Sequence, residues 1–188
     1  METSELLEII ARGEDGRHQF KANFTNVNAM AAELVAFSNS GGGRIIIGVS
    51  DDGSFSGLTR HDMGRLNQMV SNAASQSVRP AINPESENIS VPEGLVMVVR
   101  VPDGVSKPYM DKDGAIWVKS GSDKRKATSR EEIQRMFQDA NLIHGDEIPA
   151  AGLTVADLDS DYFWAFFNKY LNESAEDLEI DLPSFLKI

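Results

Sequence analysis

Residues 45–49 (Ile45, Ile46, Ile47, Gly48, Val49) show no alternation of apolar and polar positions and are β-branched apart from Gly48. That pattern predicts a strand buried on both faces. Before it, Met30, Leu34 and Phe37 recur at three- and four-residue spacing, which predicts a helix opened by Asn26 or Asn28 and running through Phe37. Asn39 and Gly41, Gly42 and Gly43 tolerate positive φ, so the helix can stop there and the chain can reverse. Asp51-Asp52-Gly53 is a turn signal that ends the strand. Residues 18–23, anchored by Phe20, read as another strand. Strand, helix and buried strand form a βαβ unit, expected to cross over right-handed.

The flanking segments follow the same logic. Thr3 or Ser4 can cap a short helix carrying Leu6, Leu7, Ile9 and Ile10, with Gly13 as its stop. Thr59 caps a helix with Met63, Leu66, Met69 and Val70 as its apolar positions, and Arg79-Pro80 closes that segment. Residues 95–101 and 115–119 read as strands, joined by a loop with Lys107-Pro108-Tyr109 and Asp113-Gly114; a weaker strand is expected at 88–91. Ser129 and Glu132 form a capping box that starts a helix to about residue 142, burying Ile133, Met136 and Phe137. Residues 145–152 have the composition of a linker, after which Tyr162, Phe163, Trp164, Phe166, Phe167, Tyr170 and Leu171 mark a strongly apolar helix. The final residues 183–188 end on apolar side chains, as expected of the beginning of a second domain cut short.

The expected fold is mixed α/β (α+β): a two-layer domain at 1–144 with a mixed sheet of four or five strands containing the βαβ unit, and helices chiefly on one face. A helical appendage at 145–188 is expected to start a second domain.

Composition narrows the chemistry. With no cysteine among 188 residues, disulfide scaffolds, thiolate zinc sites and cysteine nucleophiles are excluded. The N-terminus shows no secretory pattern and no stretch is long and apolar enough to span a bilayer, so a cytoplasmic protein is expected. The net charge of −11 is uneven: residues 1–144 carry 19 acidic and 16 basic side chains, residues 145–188 carry 10 and 2. The near-balanced domain also has a local basic run, Lys119, Lys124, Arg125, Lys126 and Arg130, opposed in that stretch only by Asp123. Distant charges are screened beyond about 8–10 Å, so such a run can attract phosphates on an acidic protein or serve as a solvated turn.

The order of the motifs resembles the Schlafen-type AlbA domain found in bacterial proteins described as transcriptional regulators or RecG-like helicases. The residues carrying the resemblance are Glu14, Gln19-Phe20-Lys21, Ala36-Phe37-Ser38-Asn39, Gly41-Gly42 and Gly48-Val49-Ser50-Asp51-Asp52-Gly53. Further landmarks are Arg79-Pro80, Lys107-Pro108-Tyr109, Trp117-Val118-Lys119-Ser120-Gly121-Ser122 and Ala127-Thr128-Ser129, so the likeness runs from about 14 to about 137. The resemblance implies a nucleic-acid-binding module, DNA first, of a transcriptional regulator, with Lys21, Arg44, Lys107, Lys119, Lys124, Arg125, Lys126 and Arg130 as candidate contacts.

It also implies an alternative. Ribonuclease members carry three carboxylates at the positions of Glu14, Gln19 and Asp51, which could hold magnesium or manganese on a scissile phosphate of RNA, with Lys21 steadying that phosphate. Here Gln19 removes one charge, and Ser50 leaves Asp51 as the acid in register. If the two strands of the βαβ unit are parallel neighbours and not staggered, Glu14 and Asp51 lie about 20 Å apart along them. A third reading is an interaction scaffold that self-associates through a sheet edge or the aromatic tail.

Other chemistries find no support. The glycines at 41–43 precede a strand, whereas a phosphate loop follows one and opens a helix. His18, His61 and His144 lack ligand spacing, and Ser38 and Ser40 lack a nucleophile-elbow context. Trp117 is either a core or cross-strand residue or a stacking platform.

Overall fold

Leu6 and Ile9 lie on the buried side of helix α1 (Thr3–Arg12), which stops at Gly13. Its N-cap is Glu2, in extended conformation and without a side-chain bond, and not Thr3 or Ser4. The Met1 amine is held 2.6 Å from Glu87, which fixes the chain just before the helix and draws Thr3 into the first turn. Strand β1 (His18–Lys21) follows, then helix α2 (Val27–Asn39), whose cap Asn26 accepts the Asn28 amide. From Met30 to Ser38 every residue of α2 is buried, as expected of a helix covered on all sides.

Strand β2 (Gly43–Ile47) runs parallel to β1, with His18 opposite Arg44 and Lys21 opposite Ile47. It ends earlier than the apolar pattern suggests: Gly48 still donates to the Lys21 carbonyl at 2.8 Å, but its φ of +108° turns the chain out of extended conformation. The reversal before β2 needs glycine for two different reasons. Gly42 has φ +76° and packs against the backbone of Val101 and Asp103, whereas Gly43 leaves room for the Phe37 ring and the Arg17 carbonyl. Asn39 remains helical.

Helix α3 (Arg60–Asn72) opens with a full capping box between Thr59 and Asp62 and runs on into a π-turn at Ala73–Ser77. Strands β3 (Val78–Arg79), β4 (Glu85–Val91) and β5 (Gly94–Val101) come next. They are followed by β6 (Met110–Asp111), β7 (Trp117–Ser120), β8 (Asp123–Lys126) and helix α4 (Arg130–Asp139). The main sheet has the order β1-β2-β5-β4 and is antiparallel apart from β1 and β2; β3 with β6 and β7 with β8 make two small ribbons.

Alternation along the central strands divides the core. Ile45, Ile47, Met97, Val99 and Val101 face α2 and α3, while Phe20, Ile46, Val96 and Val98 face α1. The fold is thus the expected mixed α/β sheet domain, with α1 covering the face that α2 and α3 leave open. Burial of a side chain such as Phe20 contributes about 1.5–3 kcal/mol. Helix α4 departs from expectation. It has no fully buried residue, and Ile133, Met136 and Phe137 are only half-buried. Ser129 does cap it, but the Glu132 carboxylate turns to Arg125 and not back to the cap.

The computed structural model describes residues 1–143 and 152–171. The chain divides into two units, Met1–Ile143 and His144–Ile188. In the second, helix α5 (Ser160–Leu171) packs Phe163, Trp164 and Phe167 ring to ring and exposes Tyr162, Phe166 and Tyr170. The expected linker, apart from Gly152, and the apolar end at 183–188 lie outside the described residues. No helix among the described residues is long and apolar enough to cross a membrane.

Candidate nucleic-acid interface

Lys119, Lys124, Arg125 and Lys126 of the basic run form a hairpin, and Arg130 lies beyond it at the start of α4. Trp117 pairs with Lys126, Val118 with Arg125, Lys119 with Lys124 and Ser120 with Asp123. Because side chains alternate along a strand, Trp117, Lys119, Lys124 and Lys126 share one face, and Val118 and Arg125 share the other. The contacts agree. Lys124 reaches Glu33 of α2 at 2.6 Å, and Lys126 lies 5.0 Å over the Trp117 ring. On the opposite face Arg125 holds Glu132 of α4 through two hydrogen bonds, 2.6 and 2.9 Å. The pair raises the Arg125 pKa and lowers that of Glu132, in each case first through the hydrogen bond between them.

Lys119, like Lys124, is partly buried. Its Nζ donates to Gln19 Oε1 at 2.7 Å and to the Ser122 carbonyl, and it stands 4.9 Å from the Phe37 ring centre. Burial pushes its pKa below 10.5; Glu33 and Glu14 pull it back up, while Lys124 and Lys21 add to the depression. Lys21 shares the Gln19 side of β1 by alternation. Four lysines (21, 119, 124 and 126) therefore gather where the hairpin meets α2 and β1.

Two of the other expected contacts point elsewhere. Arg44 lies on the α1 side of the sheet, bonded to Glu5 at 2.7 Å, and Lys107 is paired with Asp103 at 2.6 Å. Arg130 is exposed at the start of α4. Among the described residues, Lys21, Lys126 and Arg130 make no ion pair.

The acid positions are brought together only in part. Glu14 Oε1 accepts the Gln19 side-chain amide and, at 2.6 Å, the backbone amide of Phe20. It thus caps an outward N–H of edge strand β1, and Asp15 does the same for His18 at 2.7 Å. Asp51 lies in the turn beyond the C-terminal ends of β1 and β2, exposed to solvent, whereas Gln19 is opposite Ile45 well before that end. Magnesium or manganese needs a shell of oxygen donors with anionic charge. Here an ammonium occupies Gln19 Oε1, the Gln19 amide donates to Glu14, and Asp51 stands apart. The donor set does not fit the ion, and among the described residues no group of three His, Cys, Asp or Glu side chains could hold a metal.

Sequence reasoning missed two residues that organise this region. Glu33 is only 2% exposed, and its Oε2 has no partner among the described residues. The signal was present as a lone charge inside the apolar stretch from Met30 to Phe37. Asn39 donates to the carbonyls of Tyr109 and Trp117 at 2.9 Å each and accepts the Tyr109 amide at 2.7 Å. It latches two distant segments onto the end of α2, and no local sequence pattern announces that role.

Comparison with known proteins places this architecture. The chain aligns over 98% of its length with the DIP2311 protein from Corynebacterium diphtheriae, at 18% identity and a TM-score of 0.51, but spans only 39% of that protein. It aligns over 69% of its length with the N-terminal domain of a protein from Nitrosomonas europaea described as related to the ATP-dependent DNA helicase RecG, covering 97% of that domain at 23% identity and a TM-score of 0.47. At 18% identity the likeness to the first of these concerns the fold alone. Among curated proteins none matches. The family described as Schlafen, AlbA_2 matches residues 14–128, which hold the whole run from β1 to β8, and the chain therefore belongs to the Schlafen AlbA_2 family of nucleic-acid-binding domains.

Proposed function

We propose that the domain binds DNA through the β7–β8 hairpin and the adjoining edge of β1, as a cytoplasmic module of a transcriptional regulator. The observation that carries the reading is the grouping of Lys21, Lys119, Lys124 and Lys126, with exposed Lys126 making no ion pair among the described residues. Lys21, Lys126 and Arg130 supply direct phosphate contacts. Lys119 and Lys124, already neutralised in part, contribute a positive field beneath them. Phosphate contacts of this kind give affinity and register without reading bases.

Fluorescence anisotropy with a labelled duplex tests the proposal. Affinity should fall with salt at a log–log slope of about −0.9 per phosphate neutralised. Lys21→Ala and Lys126→Ala should each reduce the slope by about one. Arg44→Ala, on the other side of the sheet, should leave it unchanged. Absence of binding at the lowest salt would reject the reading, and a clear preference for RNA of equal length would replace DNA as the ligand.

A further inference from the structure

The resemblance implied a divalent cation near Glu14 and Gln19, and the residues present do not fit one. The position is nevertheless cationic. The Lys119 ammonium has Gln19 Oε1 at 2.7 Å, the Ser122 carbonyl as a second acceptor, and the Phe37 ring against its remaining side. Glu33 and Glu14 are the two carboxylates that favour its charge. Glu33 is nearly inaccessible, and with Oε1 taken by Lys124 its Oε2 has no partner among the described residues. Two carbonyl oxygens in contact with one charge, and two carboxylates whose charge reaches it, form the kind of oxygen-rich surrounding that hard cations prefer.

We infer that Lys119 is the resident cation of this pocket: the chain supplies from β7 the positive charge that a dissolved divalent ion would otherwise bring, and the pocket is closed to metal while the ammonium is in place. Without Lys119, Lys124 still pairs Glu33 Oε1, but the buried Oε2 and the Glu14 carboxylate lose the second cation that balances them, which creates demand for another. Lys119→Met keeps most of the aliphatic stem and removes only the charged end. It should leave Gln19 Oε1, the Ser122 carbonyl and the two carboxylates as a site for magnesium or manganese. The inference is independent of nucleic-acid binding, and its test contains no nucleic acid.

The full chain and its Lys119→Met, Lys119→Arg and Lys119→Met/Glu33→Gln variants are titrated with manganese chloride. Bound metal is read from the loss of the free manganese electron-spin signal, and melting temperature is followed against sodium chloride of matched ionic strength. The natural chain and Lys119→Arg should bind no manganese and show no metal-specific change in melting. Lys119→Met should bind one ion and gain about 5–10 °C at a hundredfold excess over its dissociation constant. Adding Glu33→Gln should abolish that gain, which places the ion beside Glu33. Should Lys119→Met fail to fold, Lys119→Gln replaces it in the same titration. Manganese binding by the natural chain would overturn the inference, and so would a folded variant lacking the ammonium that binds none.

Discussion

Lys124 Nζ meets Glu33 Oε1 at 2.6 Å, joining a cation that is 27% exposed to a carboxylate that is 2% exposed. The two partners are therefore not equivalent. Lys124→Ala strands a desolvated charge and should destabilise the domain by about 2–4 kcal/mol in urea unfolding, below the range for fully buried pairs because the lysine is partly hydrated. Glu33→Gln alone frees a lysine that water can solvate, and should cost less. The double variant Lys124→Met/Glu33→Gln should recover most of the Lys124→Ala loss. A double variant no better than Lys124→Ala would show that the pair is not what matters at this position.

Glu14 holds the edge of β1 and orients Gln19. Glu14→Ala should lower stability by about 1–3 kcal/mol, since it leaves the Phe20 amide without its acceptor. The loss should be identical with and without a chelator. Gln19→Glu adds a carboxylate beside Glu14, but the Lys119 ammonium already lies 2.7 Å from that side chain and should neutralise it. Melting of Gln19→Glu should therefore remain insensitive to magnesium. A magnesium-dependent rise in its melting temperature would show that a metal can share the pocket with the lysine.

Asn39 satisfies three backbone groups with one side chain. Asn39→Asp retains an acceptor for the Tyr109 amide but loses both donated bonds and aims a charge at two carbonyls. It should be worse than Asn39→Ala, which should itself cost about 2–3 kcal/mol. Amide exchange should accelerate around Tyr109 and Trp117 in both variants while the centre of β5 stays protected. Uniform acceleration through the main sheet would mean that the latch supports the whole fold and not two local segments.

Lys119 makes stability depend on alkaline pH. Its pKa is lowered in the fold, mainly by burial, so between the folded value and the ordinary 10.5 the unfolded chain holds more protons than the native one. Stability from this group must rise with pH across that window; below it the burial penalty is present in full. Comparing urea midpoints of the natural chain and Lys119→Met up to about pH 10 isolates the effect from the ordinary lysines and tyrosines. The difference between them should shift in favour of the natural chain as pH rises. A constant difference would remove Lys119 as its source.

The fold was legible where the signal is local. Asn26, Thr59 and Ser129 cap their helices, and the unbroken apolar run at Ile45 to Ile47 is an interior strand, because capping chemistry and periodicity act over a few residues. Strand β8 was hidden, since Lys124, Arg125 and Lys126 have the composition of a solvated turn. Only pairing with Trp117 to Ser120 makes it a strand, and only that pairing assigns alternate cations to opposite faces. The same reason explains the site. Glu14 and Gln19, five residues apart, could be foreseen as neighbours, whereas Glu33 with Lys124 and Asn39 with Trp117 depend on contacts across more than seventy residues.

The hairpin has a slight apolar anchorage: none of its residues in β7 and β8 is fully buried, and Trp117 is the one that packs, partly buried, against the main core. Its other attachments to α2, β1 and α4 are mostly ion pairs and polar contacts: Glu33, Gln19, Ser40, Asn39 and Glu132. Added electrolyte weakens exposed charge pairs much more than it weakens packed hydrocarbon. The element offered to a polyanion is thus fastened by the same force that would bring the polyanion to it. Raising ionic strength then acts twice, competing at the phosphates and loosening the platform that presents the lysines. A measured salt exponent would overcount phosphates, and the surplus would report how readily the hairpin breathes away from the helix beneath it.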